Sequence, residues 1–146
     1  MANKICSKWK LARAKAGNDA NYVLDSAEGV TGVYAALIDT ASFTPNLTTD
    51  DFYSLAAAAV VGTPQEILTK TITATAGGAN FDGADVVFPS VTGASAEAIM
   101  IYRKNAGANT TWPIIGYIDT GVTGLPVTPN GGNITIVWNA SGILEL

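Results

Sequence analysis

The longest unbroken apolar run in this sequence, Leu55 to Val61, is seven residues long and mostly alanine. From Glu66 onward, short β-branched segments alternate with clusters of Gly, Pro, Asn and Asp. Such spacing leaves no room for long helices and favours short strands joined by tight turns.

Seven segments read as strands. Residues 33–38 (VYAALI) are apolar at alternating and intervening positions, as in a strand covered on both sides. Residues 67–75 (ILTKTITAT) put Thr69, Thr71, Thr73 and Thr75 on one face and Leu68 and Ile72 on the other. Gly77-Gly78 and Asp82-Gly83 lead to residues 85–88 (DVVF), expected to be the hairpin partner of 67–75. Residues 98–102 and 114–118 flank the turn-rich KNAGANTT and form a second expected hairpin. Residues 134–138 and 143–146 flank NASG and form a third. This pattern predicts an antiparallel β-sandwich spanning residues 31–146, with edge strands that need a cover.

The first thirty residues obey a different grammar. Ile5, Trp9, Ala12 and Ala16 recur at helical spacing, so residues 3–16 are expected to form a helix ending at Gly17-Asn18. Thr49-Asp50-Asp51 reads as a second helix start, with Phe52, Leu55, Ala56 and Ala59 on one face and Gly62-Thr63-Pro64 as the stop.

Charge is unevenly divided. Lys4, Lys8, Lys10, Arg13 and Lys15 give the first eighteen residues +5 with no acid, while the remainder carries three basic and twelve acidic residues, a net of −9. This asymmetry suggests either a solvated helix face folded back on the chain's own β body or a basic arm docking on an acidic partner surface, with Ile5 and Trp9 as apolar anchors among the cations Lys4, Lys8, Lys10, Arg13 and Lys15. Nucleic acid is not an expected partner, because the acidic body would be repelled by a polyanion. Only 14% of residues are charged and 48% are hydrophobic, the reverse of a disordered chain. No segment offers the ~20 apolar residues of a membrane helix. Few charges and many apolar side chains suggest surface shared with neighbouring subunits. The opening MANKICSKWK has no apolar stretch after its charges and does not read as a secretion signal.

Reactive chemistry is sparse. There is no histidine and one cysteine, Cys6, so neither an intramolecular disulfide nor a Cys/His zinc site can form within one chain. A histidine-based nucleophile is excluded, and a carboxylate pair among Glu66, Glu97 and Asp119 has no defined spacing. Asn80 to Asp85 (NFDGAD) resembles a calcium loop without its distal bidentate Glu. Gly77-Gly78 lacks the lysine and helix start of a phosphate cradle. Trp112 beside Pro113 could face a sugar, or simply pack in the core. The expectation is a non-enzymatic protein without cofactor or metal.

Four phrases carry a family resemblance: VYAALIDTASFTPNL (33–47), FDGADVVFPSVTGASAEAIMIYRK (81–104), PIIGYIDT (113–120) and GLPVTPNGGNITIVWN (124–139). Together with the closing ILEL they resemble, in this order, a family of small virion structural proteins of tailed bacteriophages. The resemblance covers most of residues 33–146. It implies a capsid cement, or decoration, protein made in the host cytoplasm, assembling as a homotrimer on the major capsid protein. The alternative is a tail, baseplate or fibre component, including a carbohydrate-binding attachment module. No role for the first thirty residues follows from the resemblance.

Overall fold

The computed structural model describes residues 4–16, 23–24 and 32–146. Its strands are β1 (Lys4–Ile5), β2 (Gly32–Ile38), β3 (Val60–Glu66), β4 (Thr71–Thr75), β5 (Gly78–Asp82), β6 (Val86–Phe88), β7 (Ala98–Lys104), β8 (Ile114–Ile118), β9 (Ile134–Ile136) and β10 (Leu144–Glu145). One helix, α1 (Ser7–Ala16), and short 3-10 turns complete the described elements. The fold is mainly β, and every pairing among the described strands is antiparallel.

The main layer is a five-stranded sheet in the order β1-β8-β7-β2-β3. Its centre follows from the two most apolar segments. β2 and β7 pair along their whole length, from Gly32 opposite Lys104 to Ile38 opposite Ala98. Because side chains alternate, this register sorts the residues into two faces. Tyr34, Tyr102, Ala36 and Met100 share one face; Ala35, Ile101, Leu37 and Ile99 share the other. Nearly all are fully buried, so each face of the sheet must be covered.

The second layer covers the face that carries Ile101. Gly116 of β8 lies opposite Ile101, and a Cβ built on it would stand 3.0 Å from a methyl of Leu144 in β10. The missing side chain lets the three-stranded sheet β10-β5-β4 approach closely. Buried Phe81, Ile143 and Leu144 close this interface, and β6-β9 adds Val86, Phe88, Ile134 and Ile136 to the same core. Over the opposite face lies the segment of 3-10 turns at Tyr53–Leu55 and Ala57–Ala59, with the Tyr53 ring 4.4 Å from that of Tyr102.

The expected strands at 33–38 and 98–102 are among the most buried, and the hairpin joining 98–102 to 114–118 is present as β7-β8. The other two expected hairpins are not. Strand 71–75 turns at Ala76-Gly77 to pair with 78–82, not with 85–88. Residues 86–88 pair instead with 134–136, and the C-terminal strand pairs with β5 rather than with its sequence neighbour. Pro64 and Gly62 suggested a break, yet residues 60–66 form edge strand β3 on β2. An edge tolerates proline because one side of the strand needs no ladder bond. The expected helix at 52–59 is two 3-10 turns, and neither cap uses a side chain.

One charged residue is buried in the main sheet. Arg103 is 4% exposed, and its Nη1 donates to the Lys104 carbonyl at 2.6 Å. Burial pulls its pKa below the usual arginine value, opposed by the nearby Glu66 carboxylate.

Candidate interaction surface

The N-terminal segment begins inside the fold. Lys4 pairs with Tyr117 and Ile5 with Gly116, so β1 extends the main sheet at β8. The Cys6 amide donates to the Ile115 carbonyl at 2.7 Å, and the Ser7 amide to Leu47 at 2.7 Å. The Cys6 thiol donates to the carbonyls of Asp50 at 3.0 Å and Leu47 at 3.3 Å. Helix α1 starts only after this strand, so Ile5 belongs to β1 rather than to the helical face expected for it. The buried stripe of the helix is Cys6 and Trp9, with Ala12 and Arg13 half-buried behind them.

Trp9, expected as an apolar anchor of a docking arm, packs inside the chain's own fold. Its side chain is 6% exposed and belongs to the chain's own core, leaving little indole to anchor another molecule. Ile5 is half-buried against the same core. A tryptophan carries more apolar area than any other residue of this segment, and burying it in cis is the stronger use of it. Strand β1 belongs to the main sheet, which joins Lys4 and Ile5 to the β body, while the boundary expected near residue 30 lies outside the described residues.

The cations fare differently. Lys4, Lys8, Lys10 and Lys15 are exposed and Arg13 is half-buried. Lys8 reaches Asp51 at 3.3 Å, an exposed pair that contributes about 0–1 kcal/mol. Arg13 and Lys15 stand in the last turn of α1, where the helix dipole favours positive charge. Lys4, Lys10 and Lys15 therefore present charge to solvent on an otherwise acidic molecule.

Several acids and amides, among them Glu97 and the NFDGAD segment, serve local structure. Asp39 accepts from the Ala41 amide at 2.9 Å and from Ser42 Oγ at 2.7 Å, which holds its carboxyl below the ordinary aspartate pKa. Glu97 accepts from the Thr40 amide at 3.0 Å and hydroxyl at 3.1 Å. In the calcium-like segment the groups diverge: Asn80 donates to the Ser141 carbonyl, Asp82 accepts from the Gly83 amide, and Asp85 from the Trp138 amide. Among the described residues no three His, Cys, Asp or Glu side chains are grouped to hold a metal ion.

Trp112 joins a cluster that sequence spacing did not reveal. Its ring stacks on Tyr102 at 5.9 Å and 11°, and lies 5.4 Å from Tyr53. Its indole N–H donates to the Gly107 carbonyl at 3.0 Å. The Lys104 ammonium lies 5.0 Å from the Tyr34 ring centre and 5.4 Å from that of Trp112. These contacts occupy the indole with its own chain, which leaves it poorly placed to stack on a sugar.

Among the described residues the exposed large apolar side chains are Leu11, Leu55, Leu68, Ile72, Val87 and Val137, each more than 40% accessible. No described helix is long and apolar enough to cross a membrane. No protein-family model matches the chain, and no curated protein matches it.

Proposed function

We propose that this chain is a structural protein of a tailed-phage virion that acts as a capsid cement, binding the assembled shell of the major capsid protein and stabilising it. The reading rests on the family resemblance of residues 33–146. The observation on the molecule itself that favours it is a β body with polar groups used in turns, carrying exposed apolar side chains and a few exposed lysines on an acidic background. That surface suits contact with large protein assemblies. The mechanism is thermodynamic: a protein that binds the closed shell but not free subunits shifts the equilibrium toward the shell by mass action. Three copies around a shared axis is the assembly this reading carries.

The test counts copies per virion against the major capsid protein and then adds purified protein to shells lacking it. A stoichiometric complement that raises the temperature of shell disruption supports the cement reading. A handful of copies confined to the tail overturns it.

A further inference from the structure

Among the outer strands of the two larger described sheets, one lacks the protection that exposed edges ordinarily carry. β1 and β10 are two residues long and bear Lys4 and Glu145. β3 contains Pro64, a left-handed Gly62 and a terminal Glu66. Short length, charge, proline and local twist each discourage pairing with another chain. β4 has five residues, Thr71-Ile72-Thr73-Ala74-Thr75, with no charge, proline or glycine, and all five are exposed.

The lysine that could guard it is turned away. Lys70 immediately precedes β4, yet its side chain is only 3% exposed; the ammonium donates to the Ile67 carbonyl at 2.9 Å and lies 3.6 Å from Glu66. Meanwhile Ile72 is 44% exposed on the strand itself. One edge of β4 pairs with β5, and the other has no strand partner among the described residues.

We infer that β4 is a self-association strand, pairing antiparallel with β4 of a second copy across a two-fold axis at Thr73. The sequence of the strand is complementary to itself in that register. Thr73 meets its own copy, Thr71 meets Thr75, and Ile72 meets Ala74. One face of the seam becomes a threonine ladder, and on the other each isoleucine packs on a small neighbour. No like charges oppose, although the chain as a whole carries −4. The sheet β10-β5-β4 continues through the axis into its copy, an isologous contact. Five residues a side cover less than the ~1,200 Å² typical of stable complexes, so the pairing is weak and depends on concentration. The inference holds whether or not the chain belongs to a virion; on a shell bearing trimers, the seam would join them two by two.

Size-conserving cysteine variants test the register, since the natural Cys6 is buried. Thr73→Cys places two thiols opposite each other, within the Cα separation a disulfide spans. Thr71→Cys places them roughly 14 Å apart, four residues along the strand. With diamide as oxidant, Thr73→Cys is expected to form a covalent dimer within minutes, and Thr71→Cys alone none. A mixture of Thr71→Cys and Thr75→Cys proteins should cross-link to each other. Ile72→Lys should abolish concentration-dependent association in sedimentation while leaving thermal unfolding unchanged. Equal cross-linking of Thr73→Cys and Thr71→Cys would overturn the inference, as would a monomeric wild-type protein at all concentrations or association undiminished by Ile72→Lys. Shell binding is scored separately, so loss of one result leaves the other standing.

Discussion

The thiol of Cys6 donates to the carbonyl oxygen of Asp50 at 3.0 Å, tying the start of the chain to a loop forty-four residues away. With the backbone bonds to Ile115 and Leu47 on either side, this contact makes the basic N-terminal segment a part of the β body. Deleting residues 2–16 is therefore expected to destabilise the isolated protein, and not merely to remove a docking element. Trp9→Ala should cost about 3–5 kcal/mol in denaturant unfolding, the range for emptying a buried tryptophan site. Lys10→Ala should change stability by no more than about 0.5 kcal/mol. Equal, small effects of both would contradict the packing of Trp9.

Burial is the largest influence on Cys6 and pushes its thiol pKa above the ordinary value. The reactive thiolate is thus scarce and shielded at mildly alkaline pH. A disulfide reagent should leave the native protein unlabelled and modify one thiol per chain after denaturation. Rapid labelling of the native state would show that β1 detaches readily from β8.

Tyr117 contributes to an alkaline limit together with Tyr102, whose hydroxyl burial raises further still. Burial first, then the carboxylates of Asp119 and Glu97, push the Tyr117 hydroxyl up to about 12. In an unfolded chain a tyrosine ionises near pH ~10. The folded value is the higher one, so this contribution is complete below pH ~10 and is lost as the pH rises through the folded value. Tyrosinate absorbance from this residue should appear together with loss of near-ultraviolet circular dichroism, and Tyr117→Phe should move that transition to higher pH. Ionisation of Tyr117 well before unfolding is the contrary result.

Trp112 and Lys104 separate core from attachment. Trp112→Ala should lower the melting temperature, because it removes a ring stacked on Tyr102 and the indole bond to Gly107. A loss of about 3–5 kcal/mol is the scale for such a truncation, toward the low end here because the ring is only half-buried. A variant of unchanged stability that loses glycan binding on an array would instead support the tail-attachment alternative.

Gly124 explains part of the phrase GLPVTPNGG. Its φ is +110°, and a Cβ there would run into the Thr135 carbonyl. Gly124→Ala should destabilise by more than about 1 kcal/mol, since alanine is strained at this φ and has no space. Val127 bridges Ala96, and the Val91 amide donates to Gly132, so this loop fastens the segment before β7 to the approach to β9. An unchanged melting temperature would mean that the loop rearranges freely.

Local sequence determined the strand-rich class, the doubly buried β2 and β7, and the hairpin through KNAGANTT. In these cases the continuous apolar pattern of both strands marked them as central, whereas turn residues alone misassigned the pairs 67–75 with 85–88 and 134–138 with 143–146. The charge division was equally legible, since it is only a count. Partners distant in sequence were not legible. Val86 pairs with Ile136, and Leu144 with Phe81, because two sheets must close over one core; no local residue encodes which distant strand completes a layer. The same holds for Trp9. Helical spacing placed it on an apolar face, but only the packed body decided that the face turns inward, where burying the indole gains more than leaving it for a partner.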